Sequence, residues 1–105
     1  MKACINLTIK VVGNEVEDVR ISAMLADGRQ FYCHLEPTDP IGEGESYTDN
    51  YTIEGEEVEK LLAATGAEDD PSEALPNFFV DPGNCFGFSR FCDEHGIGYS
   101  YSLDD

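Results

Sequence analysis

The chain has 105 residues, with 22 Asp and Glu against six Lys and Arg, and a formal net charge of −16 at pH 7. This length suits one hydrophobic core, so we expect a single domain over residues 1–105. Hydrophobic residues make up 41% of the chain, which favours a folded protein despite the charge. The acidic balance argues against direct binding to nucleic acid or to an anionic membrane, because both carry negative charge.

No apolar stretch is long enough to span a bilayer, and the first residues lack the apolar block and cleavage site of an export signal. We therefore expect a cytoplasmic protein, with the cytoplasm of a host cell as one alternative. A reducing compartment keeps thiols free, which is the expected state of Cys4, Cys33, Cys85 and Cys92.

The charge is unevenly distributed along the chain. Residues 1–35 hold four acids and four bases, residues 36–73 hold thirteen acids and one lysine, and residues 74–105 hold five acids and one arginine. Three quarters of the net charge therefore lies in about a third of the chain. General adaptation of the surface to high salt would spread acids over every exposed face, so this distribution argues against it.

The neutral first third is predicted to form a β-meander. Apolar residues alternate with polar ones from Ala3 to Val11 and again from Val19 to Leu25, which is the period of a strand with one buried face. A two-residue turn at Asp27-Gly28 would place the apolar residues of the second and third strands on opposite faces. A three-residue loop with Gly28 in the left-handed conformation pairs Ala23 with Phe31 and buries one consistent face, so we predict that register.

From Glu36 to Thr52 the prolines and glycines predict a long acidic loop. The spacing of apolar residues then predicts a helix that ends at Gly66, with acids in its first turn. Asp70 and Pro71 predict a helix start, but Pro76 limits that helix to about one turn. Asp81-Pro82 or Asn84 opens a further helix that ends at Gly96, and alternation from Ile97 to Leu103 predicts a last strand.

These elements predict an α+β fold, in which an antiparallel sheet carries two to three helices on one face. The expected strands cover 2–12, 18–26, 29–36 and 97–103, and the best-formed helices cover 55–65 and 84–95. The predicted core consists of Ala3, Ile5, Leu7, Ile9, Val11, Ile21, Ala23, Phe31, Leu35, Leu61, Leu62, Phe88 and Phe91.

Catalytic and metal-binding motifs are weak in this sequence. Cys92 and His95 have a spacing of three on a helix, and Cys33-His34 is a second Cys-His pair, but adjacent strand residues point to opposite faces. Acidic surroundings would raise a thiol pKa, which argues against a nucleophilic cysteine. Calcium, phosphate-loop and dinucleotide patterns are absent. We therefore predict no enzymatic activity, no cofactor and no metal site.

The remaining chemical feature is a dense carboxylate cluster. Like charges three residues apart on a helix each cost about 0.2–0.5 kcal/mol, and solubility requires a net charge of magnitude only about 2–8. The excess predicts a surface that binds a basic partner, with Tyr47 and Tyr51 as aromatic anchors unless they pack on the protein's own core. The predicted partner-binding residues are Glu43, Glu45, Tyr47, Asp49, Tyr51, Glu54, Glu56, Glu57, Glu59, Glu68, Asp69 and Asp70.

In its size, its charge and residues 36–73, the sequence resembles the small acidic inhibitors of phages and plasmids, the anti-CRISPR and antirestriction proteins, several of which imitate DNA. The resemblance is to a class, and no residue role is transferred from it. It implies a non-enzymatic inhibitor that binds the basic groove of a nucleic-acid-binding protein and competes with DNA or RNA. The alternatives are an immunity protein that neutralises a nuclease toxin and an acidic adaptor subunit without inhibitory activity.

Overall fold

The computed structural model describes residues 2–37 and 44–104, which form an antiparallel sheet with helices on one face. The strands are β1 Cys4–Val12, β2 Glu15–Met24, β3 Gln30–Leu35, β4 Ser46–Glu54 and β5 Ser100–Asp104. The helices are α1 Glu56–Thr65, α2 Pro71–Phe79, α3 Pro82–Phe86 and α4 Phe88–Glu94. The strand order is β3-β2-β1-β4-β5, and the predicted α+β class is confirmed.

β1 is the central strand, and its alternating pattern separates the two faces of the sheet as predicted. Ile5, Leu7, Ile9 and Val11 are each at most 2% exposed and face the helices. The opposite face of β1 and β4 is polar, where Thr52 Oγ1 donates to Asn6 Oδ1 at 3.1 Å. A cross-strand polar layer of this kind suits a face that lies towards water.

The predicted register of the second hairpin is confirmed. Ala23 lies opposite Phe31 and Ile21 opposite Cys33. Leu25 N–H donates to the Arg29 carbonyl at 2.8 Å, and the intervening Gly28 has a φ of 92°. A side chain at this φ is strained, so glycine allows the tight loop that keeps both apolar sets on one face.

The predicted long loop over residues 36–52 is wrong, because residues 46–54 form β4. This strand pairs with the free edge of β1, so that Leu7 lies opposite Tyr51 and Ile5 opposite Ile53. Residues 47–53 alternate between the two faces and are rich in tyrosine and threonine, which fit a pleated and half-buried strand. The flanking prolines and glycines concealed this pattern.

The prediction that Pro76 limits its helix to about one turn is also wrong. α2 has nine residues and continues through Pro76, because Leu75 and Phe79 are both buried. Proline cannot donate to the carbonyl four residues earlier. The Cys33 thiol instead donates to that carbonyl, on Ser72, at 3.7 Å, and so takes the place of the missing N–H donor.

The predicted helix over 84–95 is divided into α3 and α4 at Gly87, which has a φ of −95° and a ψ of 12°. Gly87 lies close to the first turn of α3, because a Cβ there would be 3.1 Å from the Gly83 carbonyl oxygen. Ile97 is not part of the last strand as predicted. Its N–H donates to the Cys92 carbonyl, and Gly96 has a φ of 66°, so both residues form the C-terminal cap of α4.

The core lies between the sheet and the four helices. Of the thirteen predicted core residues, ten are buried, while Phe31, Leu35 and Phe91 are half-buried and pack against the core. The sequence prediction missed several buried residues that the helices and β4 contribute, including Ile53, Leu75, Phe79, Cys85 and Cys92. None of the helices in residues 2–37 and 44–104 is long and apolar enough to cross a membrane.

Candidate partner-binding surface

β4 separates the predicted partner-binding residues into two groups. Tyr47 lies opposite Val11 at one end of the sheet, and Glu54 lies opposite Cys4 at the other end. Seven residues of strand span about 23 Å, so the two groups form separate surfaces. Glu43, which was predicted to belong to the cluster, lies outside the described residues.

The first group forms an acidic ridge, which we define as Glu56, Glu59 and Glu68. All three side chains are exposed, and none forms an ion pair within the described residues. Glu56 and Glu59 border one depression, which Lys2 also lines, and Glu59 and Glu68 border the next, so Glu59 connects the two ends of the ridge. α1 positions two of these carboxylates in its first turn, where the helix dipole favours negative charge.

Further acids lie near the ridge. Asp69 and Asp70 are exposed, and Asp70 Oδ1 accepts a hydrogen bond from the Ser72 hydroxyl at 2.8 Å. Arg29 borders a depression with Asp70 and another with Glu59. Its Nε already lies 2.7 Å from the Asp27 carboxylate, so this cation is partly neutralised by a neighbour outside the ridge.

Glu54 and Glu57 were predicted to bind the partner, but both already have partners within the chain. Lys2 Nζ lies 3.6 Å from Glu54. Glu57 accepts hydrogen bonds from the Gly98 N–H at 2.7 Å and from Lys60 Nζ at 3.1 Å. These two donors, in that order, lower the pKa of Glu57, so its carboxylate stabilises the contact between α1 and the segment that leads into β5.

The second group contributes to an aromatic groove at the β4 and β5 side of the sheet. Glu45 is exposed before β4 and offers its backbone carbonyl to the Gly13 N–H. The groove has a volume of about 590 Å³ and opens to solvent. Its walls are formed by Tyr47, Asp49, Phe86, Tyr99, Tyr101 and Leu103.

Tyr51 forms the floor of the aromatic groove and is only 6% exposed. Its ring contacts Phe88 at 4.9 Å, Tyr101 at 5.1 Å and Tyr99 at 5.6 Å between ring centroids. Burial, followed by the nearby Asp49 charge, raises the pKa of Tyr51. Tyr51 therefore packs on the protein's own core, which is the alternative that the sequence left open for this residue.

Asp49 is the carboxylate of the aromatic groove. The Tyr101 hydroxyl donates to Asp49 Oδ1 at 2.6 Å, across the pair of strands. This hydrogen bond is the first cause that raises the pKa of Tyr101 to about 12, because it holds the phenol in its protonated form. Asp49 and the ring of Tyr101 are thus held in a defined arrangement before any ligand binds.

The sequence analysis missed the groove residues that follow α2: Phe86, Tyr99, Tyr101 and Leu103. Phe86, Tyr101 and Leu103 are each at least 50% exposed, so exposed apolar surface is concentrated at the groove. The alternation of residues between the two faces of a strand from Tyr47 to Ile53 and from Tyr99 to Leu103 could have indicated two strands. The sequence does not show that these two strands pair with each other, as β4 and β5 do.

The cysteine and histidine residues do not converge as a zinc site would require. Cys33 contacts Ser72 on the helix side of the sheet, whereas His34 contacts Asp18 on the other side. Cys92 is buried within the core. Asp18, His34 and Glu36 bring three ligand atoms within 4.8 Å of one another, but Arg20 Nε already lies 3.0 Å from Asp18.

Comparisons with protein-family models, with curated proteins and with solved structures find no match to this chain.

Proposed function

We propose that this protein is a non-enzymatic inhibitor whose acidic ridge binds the basic groove of a nucleic-acid-binding protein and competes there with DNA or RNA. The observation that carries the proposal is the row of Glu56, Glu59 and Glu68, all exposed and without an ion-pair partner in the described part of the chain. A row of fixed negative charges is what a groove lined by Lys and Arg accepts from a phosphate backbone.

The energetics of α1 support this proposal. Glu56 and Glu59 are three residues apart on one helix, a repulsion that costs about 0.2–0.5 kcal/mol. Lys60 pairs with Glu57 at 3.1 Å, and Lys2, which borders the same depression as Glu56 and Glu59, pairs with Glu54 at 3.6 Å. Neither lysine forms an ion pair with Glu56 or Glu59. A basic partner would remove the repulsion, and the long-range attraction between the two surfaces would speed their encounter.

A capture experiment with matched charge variants tests the proposal. The wild-type protein is immobilised and exposed to a nuclease-treated bacterial lysate, and the retained proteins are identified by mass spectrometry. We expect a basic nucleic-acid-binding protein that elutes at raised salt, because exposed charges are screened within about 8 Å at physiological ionic strength. Added wild-type protein should displace labelled DNA or RNA from the purified partner.

Two double variants distinguish a local surface from net charge. Glu56→Lys with Glu59→Lys changes the ridge, whereas Glu15→Lys with Glu36→Lys changes exposed acids elsewhere. Each pair raises the net charge from −16 to −12. We expect only the ridge variant to lose capture and displacement. Equal losses of capture in the two double variants would show that net charge alone is responsible and would overturn the proposal. A captured partner that binds no nucleic acid would favour the adaptor alternative.

A further inference from the structure

We propose that the aromatic groove binds an arginine side chain of the basic partner, with its guanidinium group stacked on tyrosine rings and hydrogen-bonded to Asp49. This inference rests on the proposed function, because it names the chemistry by which the same partner would be held at a second surface. The groove and the acidic ridge lie towards opposite ends of β4, so one partner that spans both would be held at two points.

The groove presents aromatic rings on which a flat group can stack. The rings of Tyr47, Tyr99 and Tyr101 surround the groove, which has a volume of about 590 Å³, and the ring of Tyr51 forms its floor. The floor ring is held by edge contacts with Phe88 and Tyr99, at interplanar angles of 77° and 64°. Rings that are already positioned lose little conformational freedom when a ligand stacks on them, which favours binding.

The charge of the groove selects a cation. Asp49 Oδ1 accepts the Tyr101 hydroxyl, whereas Asp49 Oδ2 has no hydrogen-bond partner in residues 2–37 and 44–104. The groove lining contains no lysine or arginine among the described residues. A purely apolar ligand would remove the Asp49 carboxylate from water without donating a hydrogen bond to it, which would lower the free energy gained on binding.

Arginine fits these features better than lysine. The guanidinium group is planar, stacks on aromatic faces and presents several N–H donors at once. It is also less strongly hydrated than an ammonium group, so it enters a partly apolar groove more easily. The exposed apolar side chains of Phe86 and Leu103 at the groove would cover the methylene stem of the same side chain.

Capped tripeptides with a central Arg, Lys or Leu test the groove directly. They are titrated into ¹⁵N-labelled protein, and amide shifts are followed on both β4 and β5. We expect saturable shifts at residues 47–51 and 99–103 with the Arg peptide, weaker binding of the Lys peptide and no binding of the Leu peptide. Equal binding of the Leu peptide, or no binding of the Arg peptide, would overturn the inference.

Asp49→Asn is the decisive variant, because it keeps the side-chain shape and an oxygen that can accept from Tyr101. Loss of a hydrogen bond to a charged group should weaken Arg-peptide binding about tenfold or more. Asp104→Asn is the matched control, since it removes the same charge from β5 on the polar face, where Asp104 contacts Asn50. Unchanged Arg-peptide binding by Asp49→Asn, or an equal loss by Asp104→Asn, would contradict the inference.

The same variants separate this inference from the proposed function. If Glu56→Lys with Glu59→Lys abolishes partner capture while Asp49→Asn affects neither capture nor peptide binding, the groove inference fails and the proposed function stands. If the Arg peptide binds at Asp49 but the ridge variant captures the partner normally, the groove does bind arginine and the proposed function of the ridge fails.

Discussion

The Glu57 carboxylate on α1 accepts a hydrogen bond from the backbone N–H of Gly98, 41 residues later in the chain. A Cβ at position 98 would lie 3.2 Å from Glu57 Oε1, so the two segments approach closely at this point. Glu57 therefore connects α1 to the segment that leads into β5. Glu57 thus has a structural role, although it lies in the densest part of the acidic sequence and its charge alone does not reveal that role.

Replacement of Glu57 by Gln should lower the thermal unfolding midpoint, because the neutral amide is a weaker acceptor for Gly98 N–H and loses the pairing with Lys60. The pKa of Glu57 is lowered from 4.5, so its stabilising contribution is present above pH 4.5. It is lost as the pH falls through the lowered pKa. Circular dichroism melts across this range measure both effects.

Glu56→Gln is the control for this prediction, because Glu56 is exposed and makes no ion pair within the described residues. It should leave the unfolding midpoint almost unchanged. A similar loss in both variants would show that the Gly98 contact does not stabilise the fold.

Gly28→Ala should reduce the free energy of unfolding by about 1 kcal/mol, since a left-handed backbone is unfavourable for residues with a Cβ. No atom lies within 4 Å of a Cβ at this position, so the cost is conformational and not steric. Gly28→Asn should cost less, because asparagine tolerates positive φ. Urea unfolding of the three proteins measures the difference, and an alanine variant as stable as wild type would contradict the assignment.

The register around Gly28 was predictable because it depends on local information. A single choice of loop length brought the apolar residues of β2 and β3 to one face. The proximity of Glu56 and Glu59 in the acidic ridge was predictable for the same reason, since helix periodicity places them together. The position of Glu68 beside Glu59 depends on the path of the chain after α1. The aromatic groove was not predictable, because it requires Tyr51 to lie opposite Tyr101, a pairing between segments 50 residues apart that no local pattern specifies.

Leu75→Ala should reduce the free energy of unfolding by about 2–5 kcal/mol, because Leu75 is fully buried and its removal leaves a cavity. Val80→Ala is the control, since Val80 follows α2 directly and is 52% exposed, so it should change stability little. Urea unfolding measures both. A small effect of Leu75→Ala would contradict the burial of this side chain between α2 and the sheet.

The buried thiols should make stability depend on alkaline pH. Burial, aided by Asp81 and Asp93 respectively, raises the pKa of Cys85 and of Cys92 to about 12 from 9.0. Above pH 9 the unfolded chain loses these protons while the folded protein keeps them. Under reducing conditions, stability should therefore fall as the pH rises from 9 towards 12, by up to about 1.4 kcal/mol per pH unit for each thiol.

The double variant Cys85→Ala with Cys92→Ala tests this prediction. The quantity compared is the change in the free energy of unfolding with pH, and not its absolute value. Urea unfolding between pH 9 and pH 10 should show a shallower decline for the double variant than for wild type. Parallel curves would mean that these thiols ionise equally well in the folded protein.

The sheet order has a consequence for synthesis on the ribosome. β1, β2 and β3 pair with their neighbours in sequence, but the second edge of β1 remains uncovered until β4 emerges. An uncovered strand edge is a template for association with other chains. Residues 1–35 have no net charge, so these residues add no repulsion that would keep other chains away from this edge. β4, which closes this edge, itself holds only Asp49 and Glu54. The acids of the first turn of α1 follow it directly, so the edge of β1 is closed shortly before most of the negative charge has been synthesised.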